Sequence, residues 1–309
     1  MPKLLTLPPR YPERLTKAGR TLTEKLESAG APVVTAYDLF RTIQALYSSG
    51  ERLYLRSQHP DVSDYRRLRK NLLRANILTL DPDYRYRAYR VTKLSDLPAD
   101  DICCLVDPFS HISHLSAMQR YGLTDRRPDA LHLSRPANKI LREMIKQKME
   151  NDDVFKKDDA LGLDPEIVPL TAISHPPRVR RRKVELLQTV HPGESITVRG
   201  SFARVSTVGQ TFSDMIETPS LCGGMIHVLD VWRTYAKTYL HEIIPAIEVH
   251  TSSIVKVRAG YILEELLSVT EPRIAAWSRF AQRGGSRLLD PSKPYAPTYS
   301  EKWMISINV

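Results

Sequence analysis

Residues 63–76 combine an apolar face and a basic face at helical spacing. At about 100° per residue, apolar side chains gather on one side of this segment and cations on the opposite side. The apolar side holds Tyr65, Leu68, Leu72 and Ala75, and the basic side holds Arg66, Arg67, Lys70 and Arg74. Ser63 precedes the segment as its predicted N-cap. The pattern predicts a helix that packs through one face and presents cations on the other.

Two helical segments precede this basic helix. The second of them has a start resembling a capping box, because Asp38 follows Thr35 by three residues. Its apolar residues recur at steps of three and four up to about Ser48, which indicates one buried stripe.

A hairpin is predicted directly after the basic helix. The strand-like runs 77–80 and 84–91 are separated by Asp81-Pro82-Asp83, which is turn chemistry. Alternation along the second run predicts arginines on one face and inward-packing rings at positions 84 and 86 on the other. The order of elements predicts a winged helix-turn-helix domain over residues 1–95. In that domain the third helix would enter the major groove and the hairpin would touch backbone or minor groove.

The charge distribution points to a polyanionic partner for residues 1–95. These residues contain 18 Lys plus Arg against 9 Asp plus Glu, whereas the remaining 214 contain 27 against 26. Double-stranded DNA is the favoured partner. An exposed, merely solvated helix face is the alternative, and aromatics interleaved with cations also fit RNA or single strands. An anionic membrane surface would also fit the sign of the charge, but it would require a basic amphipathic helix that lies in the membrane interface, and it is not the expected partner. The predicted DNA-binding residues are Ser63, Arg66, Arg67, Lys70, Asn71, Arg74, Arg85, Arg87 and Arg90.

Residues 96–309 predict a second domain of mixed α/β composition, so that the whole chain is expected to be α+β. Residues 139–183 read as a helix followed by an exposed basic connection. The cluster at its end fits either a second phosphate contact or a strand edge protected by charge. That cluster comprises Arg178, Arg180, Arg181, Arg182 and Lys183.

No familiar catalytic or metal-binding motif occurs in the sequence. His111 and His114 are three residues apart, but no further ligand is close in sequence, so we expect core packing and no metal. We therefore expect no enzyme and no cofactor. With three cysteines, no signal-peptide core and no long apolar run, the chain is expected to be cytoplasmic and not to span a membrane.

Several short segments resemble the AbiEi-type antitoxins, which are transcriptional regulators of type IV toxin-antitoxin (abortive infection) systems used in phage defence. Each segment is weak alone, and their order carries the resemblance. The segments are Pro108-Phe109-Ser110, Leu115-Ser116-Ala117, Tyr121-Gly122-Leu123-Thr124, Arg204-Val205-Ser206-Thr207, Asp214, Cys222-Gly223-Gly224, residues 257–264, residues 282–286, Leu289-Asp290-Pro291, Trp303 and Asn308.

The resemblance implies a repressor that binds inverted repeats upstream of its own operon. It also implies a C-terminal antitoxin domain that counteracts a nucleotidyltransferase-like toxin, a functional rather than a stable partner. By resemblance alone, a possible antitoxin surface comprises Arg258, Tyr261, Arg283 and Arg287, although packing between helices is the favoured interpretation of Arg258 and Tyr261. Two alternatives remain open: a repressor of another operon, such as a phage or mobile-element operon, without a toxin, and an antitoxin that modifies the toxin enzymatically.

Overall fold

The computed structural model describes residues 15–49, 53, 60–152, 167–282 and 287–309, and its helices and strands form an α+β fold, as the sequence predicts. The chain divides into two compact units. The first comprises Met1–Leu97 and Met144–Ile173, and the second comprises Pro98–Glu143 and Ser174–Val309. The first unit's initial segment ends at Leu97, two residues after the predicted domain boundary at residue 95. Residues 144–173, however, cluster with the first unit rather than with the second.

The described part of the first unit contains helices packed with a three-stranded antiparallel sheet. Its elements before residue 97 are α1 (Lys17–Ser28), β1 (Val33–Thr35), α2 (Ala36–Tyr47), α3 (Val62–Arg74), β2 (Leu78–Asp81) and β3 (Arg85–Val91). The central strand is β3, which pairs with β1 on one side and β2 on the other. The sequence predicted the β2–β3 hairpin but not β1, which is too short to show an alternating pattern.

The predicted capping box at the start of α2 is confirmed. The Thr35 hydroxyl accepts from the Asp38 backbone N–H, and the Asp38 carboxylate accepts from the Thr35 backbone N–H. The helix then buries the apolar stripe that its spacing predicts, including Phe40 and Ile43. Local sequence therefore determines both where α2 begins and which face it buries.

The prediction that Ser63 is the N-cap of α3 is wrong, because Asp61 occupies that position. The Asp61 carboxylate accepts from the Asp64 backbone N–H at 2.8 Å and from the Ser63 hydroxyl at 2.7 Å. A carboxylate is both a stronger acceptor than a hydroxyl and a favourable charge at a helix N-terminus, so it takes the cap and Ser63 lies in the first turn.

Residues that lie beyond the predicted boundary at residue 95 complete the first unit. Helix α6 (Asn138–Asn151) begins in the second unit, and its residues from Met144 onward belong to the first. Just after it, Asp152 accepts a hydrogen bond of 2.7 Å from the Tyr37 hydroxyl of α2 and is paired with Lys148 at 3.0 Å. Residues 1–95 are thus not a self-contained domain.

The second unit contains a six-stranded mixed sheet and a helical layer. Its elements besides α6 are α4 (Ala99–Val106), β4 (His111–Ile112), α5 (His114–Arg120), β5 (Leu131–Pro136), β6 (Arg178–Val179), β7 (Arg182–Thr189), β8 (Ser195–Thr197), β9 (Arg204–Ser206), α7 (Val208–Glu217), α8 (Met225–Tyr235), α9 (Leu240–Val249), α10 (Ser253–Gly260), α11 (Pro272–Ala276), β10 (Tyr299–Ser300) and β11 (Ile305–Ser306). The strand order is β6-β7-β5-β4-β9-β8. The β6–β7, β4–β5 and β8–β9 pairs are antiparallel, whereas the β5–β7 and β4–β9 pairs are parallel. Long crossover connections between those strands permit the parallel pairing.

The helical layer of the second unit surrounds a large hydrophobic core that includes several aromatic side chains. The rings of Phe212 and Trp232 meet edge to face with centroids 5.3 Å apart, and both are fully buried. Trp303 lies against Gly260, where an added Cβ would be 2.1 Å from the indole. The segment around Trp303 is therefore held in the core, and β11 follows it at Ile305–Ser306. Within the described ranges, none of the helices has the length and apolar character needed to cross a membrane.

Candidate nucleic-acid interface

Helix α3 presents the cationic face that its sequence predicts. Tyr65, Leu68 and Leu72 are buried, whereas Arg66, Lys70 and Arg74 are exposed. These three cations are spaced four residues apart, so they form one row along the helix. Asn71, which was also predicted to bind DNA, is half-buried at the edge of this row.

Arg67 differs from its neighbours because it has an acidic partner. Its guanidinium forms an ion pair with the carboxylate of Asp64, a buried residue one turn earlier on α3. Residues 65–80 contain no acid, and the acidic partner directly precedes that stretch. Arg67 therefore supplies less free positive charge than Arg66 or Lys70.

Arg69 fixes α3 against the sheet, a role that the sequence did not reveal. Its guanidinium lies 5.4 Å from the centroid of the Tyr65 ring and donates to the Tyr89 hydroxyl at 3.2 Å. Burial raises the pKa of Tyr65 to about 12. The Tyr65–Arg69 spacing of four residues is a detectable signal for the first contact, but the second depends on tertiary packing.

The hairpin tip exposes three successive residues, Arg85, Tyr86 and Arg87. The prediction that Tyr86 packs inward beside Tyr84 is wrong: Tyr84 is buried, but Tyr86 is 80% exposed. The pairing register shifts between Leu80 and Asp81, so the simple alternation of faces does not extend to the tip. Arg85 itself has a φ of +51°.

Arg90 lies away from the tip and has a partner. Its guanidinium is 3.3 Å from the Asp96 carboxylate, and its side chain is half-buried. Among the described residues, by contrast, no acid lies within ion-pair distance of Arg66, Lys70, Arg85 or Arg87. The free positive charge of the candidate interface is thus concentrated on α3 and at the hairpin tip.

The second basic cluster forms a tight hairpin between β6 and β7. Arg180 and Arg181 occupy its turn with φ of +48° and +67°, and the Arg178 guanidinium donates to the Arg181 carbonyl at 3.1 Å. Arg182 pairs with Asp100 at 2.7 Å, and Lys183 pairs with Glu185. Since β6 is an edge strand, this arrangement agrees with the charged-edge interpretation, and part of its charge is neutralised locally.

Arg258 and Tyr261 are buried, as their packing interpretation predicts, and so they do not belong to an exposed antitoxin surface. Arg258 and Tyr261 are only 5% and 4% exposed. The Arg258 guanidinium donates to the Ile216 carbonyl at 2.7 Å and to the Leu288 carbonyl at 3.0 Å. Arg287 is half-buried and donates to the Phe280 carbonyl at 2.8 Å. Arg283 lies outside the described residues.

Several segments that carry the family resemblance contain contacts that hold the second unit together. One Nη of Arg204 donates to the carbonyls of Cys104, Asp107 and Ser110 at 2.7–2.9 Å. The Tyr121 hydroxyl likewise donates to the Ser206 carbonyl at 2.7 Å. Arginine has the donors needed to satisfy several loop carbonyls at once. These segments are therefore fold determinants.

The buried histidines serve packing. Burial lowers the pKa of His111 to about 4 and that of His114 to about 3, so both rings are neutral near pH 7. Within the described ranges, no group of three or more His, Cys, Asp or Glu side chains has the arrangement of a metal site. The neutral rings complete the core around β4 and the start of α5.

Ser116, His132 and Glu185 form a series that resembles a catalytic triad. The Ser116 hydroxyl is 3.5 Å from His132 Nδ1, and His132 Nε2 is 3.5 Å from the Glu185 carboxylate. The same hydroxyl, however, donates to the Ala130 carbonyl at 3.3 Å and accepts from the His132 backbone N–H at 3.0 Å. Since Ser116 is also 5% exposed, its hydroxyl ties α5 to β5 and is not presented as a nucleophile.

No protein-family model and no curated protein matches the chain. Among solved structures, the chain is similar to the crystal structure of the RV2827C protein from Mycobacterium tuberculosis, with 11% sequence identity and a TM-score of 0.45. The alignment covers 94% of this chain and 92% of that chain. A likeness of this size carries no argument about function, so the proposals below depend on the residues themselves.

Proposed function

We propose that the protein is a sequence-specific DNA-binding transcriptional repressor whose first unit contains a winged helix-turn-helix. In this proposal α3 enters the major groove and the β2–β3 hairpin is the wing. The order α1-β1-α2-α3-β2-β3 and the pairing of β1 with β3 support it.

The observation that carries the proposal is the row of exposed cations on α3 together with the exposed arginines of the hairpin. Lys70 is suited to contact phosphate as a point charge, whereas Arg66 and Arg74 are suited to read a base edge or to clamp a phosphate. Both groups belong to one compact unit. A helix that only needed solubility would carry mixed signs on this face, whereas its exposed long side chains are all cationic.

The antitoxin role follows from the resemblance to AbiEi-type regulators. We propose that the second unit counteracts a nucleotidyltransferase-like toxin without stable association. Because Arg258 and Tyr261 are buried, the contacting surface must lie elsewhere on that unit. An adjacent gene for a nucleotidyltransferase-like protein would support this role. A covalent mass change on such a toxin after incubation with the protein would instead favour enzymatic modification.

Binding to the protein's own promoter region tests the repressor proposal. A gel-shift titration of the full chain uses duplex DNA from immediately upstream of its gene, with a scrambled duplex of the same composition as competitor. The full chain is required because Asp152 contributes to the first unit. A shifted band that resists the scrambled competitor is the expected result. Equal competition by the two duplexes would show that the protein does not recognise an operator there.

The exposed Tyr86 ring favours a second candidate function, binding to RNA or single-stranded DNA. An aromatic side chain between cations can stack on an unpaired base while the cations contact the backbone. Tighter binding to the single strands than to their duplex, in the same titration, would favour this candidate.

A further inference from the structure

Tyr86 is the most exposed large apolar side chain in the described part of the chain, at 80%. An exposed ring does not gain the free energy that its burial would provide, so an aromatic ring held at a hairpin tip indicates a role in binding. Its two neighbours in the chain, Arg85 and Arg87, are exposed as well. The tip thus presents a ring flanked by two cations.

The turn that presents this ring is held by buried groups. The Asp81 carboxylate, on a residue only 1% exposed, accepts from the backbone N–H groups of Asp83 at 3.0 Å and Tyr84 at 3.1 Å. The Tyr84 side chain is buried, and its carbonyl accepts from the Arg87 backbone N–H at 3.1 Å. The backbone that carries the exposed ring is therefore preorganised, which lowers the entropic cost of using the ring in binding.

We propose that Tyr86 inserts into the minor groove of duplex DNA, with Arg85 and Arg87 contacting the flanking phosphates or the groove. This inference rests on the proposed function, because α3 in a major groove places a wing beside the adjacent minor groove. Apolar side chains that enter the minor groove are commonly accompanied by arginines, which the negative potential of the groove attracts. Tyr86 is then a determinant of specificity through groove shape.

A minor-groove modification tests this assignment. Replacing adenine by 2,6-diaminopurine adds an amino group in the minor groove and leaves the major-groove pattern of adenine unchanged. The affinity of the full chain is measured for the upstream duplex with adenine and with diaminopurine, for the wild type, Tyr86→Phe, Tyr86→Ala and Lys70→Ala. The melting temperature of each variant serves as a control for folding. It should equal that of the wild type, because the side chains of Tyr86 and Lys70 are exposed.

The expected loss is about tenfold for Tyr86→Ala on the adenine duplex, with Tyr86→Phe close to the wild type. Diaminopurine should weaken the wild type by a similar factor and should weaken Tyr86→Ala much less. If Tyr86→Ala binds like the wild type while Lys70→Ala is weakened, the inference fails and the proposed function stands. If Tyr86→Ala is weakened but diaminopurine has no effect on the wild type, the minor-groove assignment is overturned. If the wild type does not distinguish the upstream duplex from a scrambled one, the proposed function fails first.

Discussion

Burial separates the cations of this protein into two groups with different roles. Arg258 and Arg204 donate to backbone carbonyls inside the second unit, whereas Arg66 and Lys70 are exposed on α3. The family resemblance offered Arg258 as part of a possible surface, whereas packing between helices was the favoured interpretation and agrees with its burial. Its burial depends on the chain that covers it, including Leu288, which lies thirty residues away.

Replacing Arg258 by methionine should destabilise the protein by about 2 to 4 kcal/mol, because two buried carbonyls lose their donor. The measurement is denaturant unfolding of the two proteins. Arg233→Met is the matched control, since Arg233 is exposed and its ion pair among the described residues is with Asp230 on its own helix. An unfolding midpoint for Arg258→Met equal to that of the control would contradict the structural role.

The buried carboxyl of Asp214 should make stability depend on pH. Burial raises its pKa to about 7, although Gln210 and Ser206 donate hydrogen bonds to it at 2.7 and 3.2 Å. The folded state thus binds the proton more tightly than the unfolded state. The resulting stabilisation is complete below about pH 4 and is lost as the pH rises through 7.

Asp214→Asn should remove this dependence. Between pH 4 and 7, the wild type should lose stability relative to the variant with a slope of at most about 1.4 kcal/mol per pH unit. The measurement is the difference in unfolding free energy at a series of pH values, which cancels the other titrating groups. Parallel curves for the two proteins would show that Asp214 does not hold its proton at neutral pH.

At the scale of elements, local rules predicted α2, α3 and the β2–β3 hairpin, and tertiary contacts determined the rest. The capping box of Thr35 and Asp38 and the buried stripe of α3 are readable from spacing. Strand β1 has only three residues and is defined by its pairing with β3, so no periodic pattern in the sequence predicts it. The Tyr86 side chain points outward because the pairing register shifts beside Asp81. The Asp81 carboxylate accepts backbone hydrogen bonds at this shift, and alternation along the strand does not predict it.

Two neighbouring arginines of α3 should respond differently to alanine. Arg67→Ala leaves the buried Asp64 carboxylate without its ion pair, so a loss of stability of about 1 to 2 kcal/mol is expected. Arg66 is exposed without an acidic partner among the described residues, so Arg66→Ala should change stability by less than about 0.5 kcal/mol and should weaken DNA binding more. Thermal unfolding and gel shifts of both variants measure this. The reverse order in the unfolding assay would contradict the Asp64 pair, and the reverse order in the gel shifts would contradict the stronger DNA contact of Arg66.

At the scale of the whole molecule, the sequence located the positive charge correctly but not the limits of the unit that bears it. The excess over residues 1–95 is visible in a simple count. The count does not reveal that residues 144–173 belong to the same unit, because the contact between Tyr37 and Asp152 spans 115 positions. Neither the mixed sheet nor this return of the chain leaves a local signature, since both depend on which distant segments meet.

The central claim is that the exposed cations of α3 contact DNA phosphates and bases, and the salt dependence of binding tests it most directly. The association constant of the full chain for the upstream duplex is measured over a series of salt concentrations, for the wild type and for Lys70→Ala. A steep linear fall of log K with log salt is expected, with a slope that Lys70→Ala reduces by about one. Identical slopes for the two proteins, or a wild-type affinity that does not change with salt, would contradict the claim.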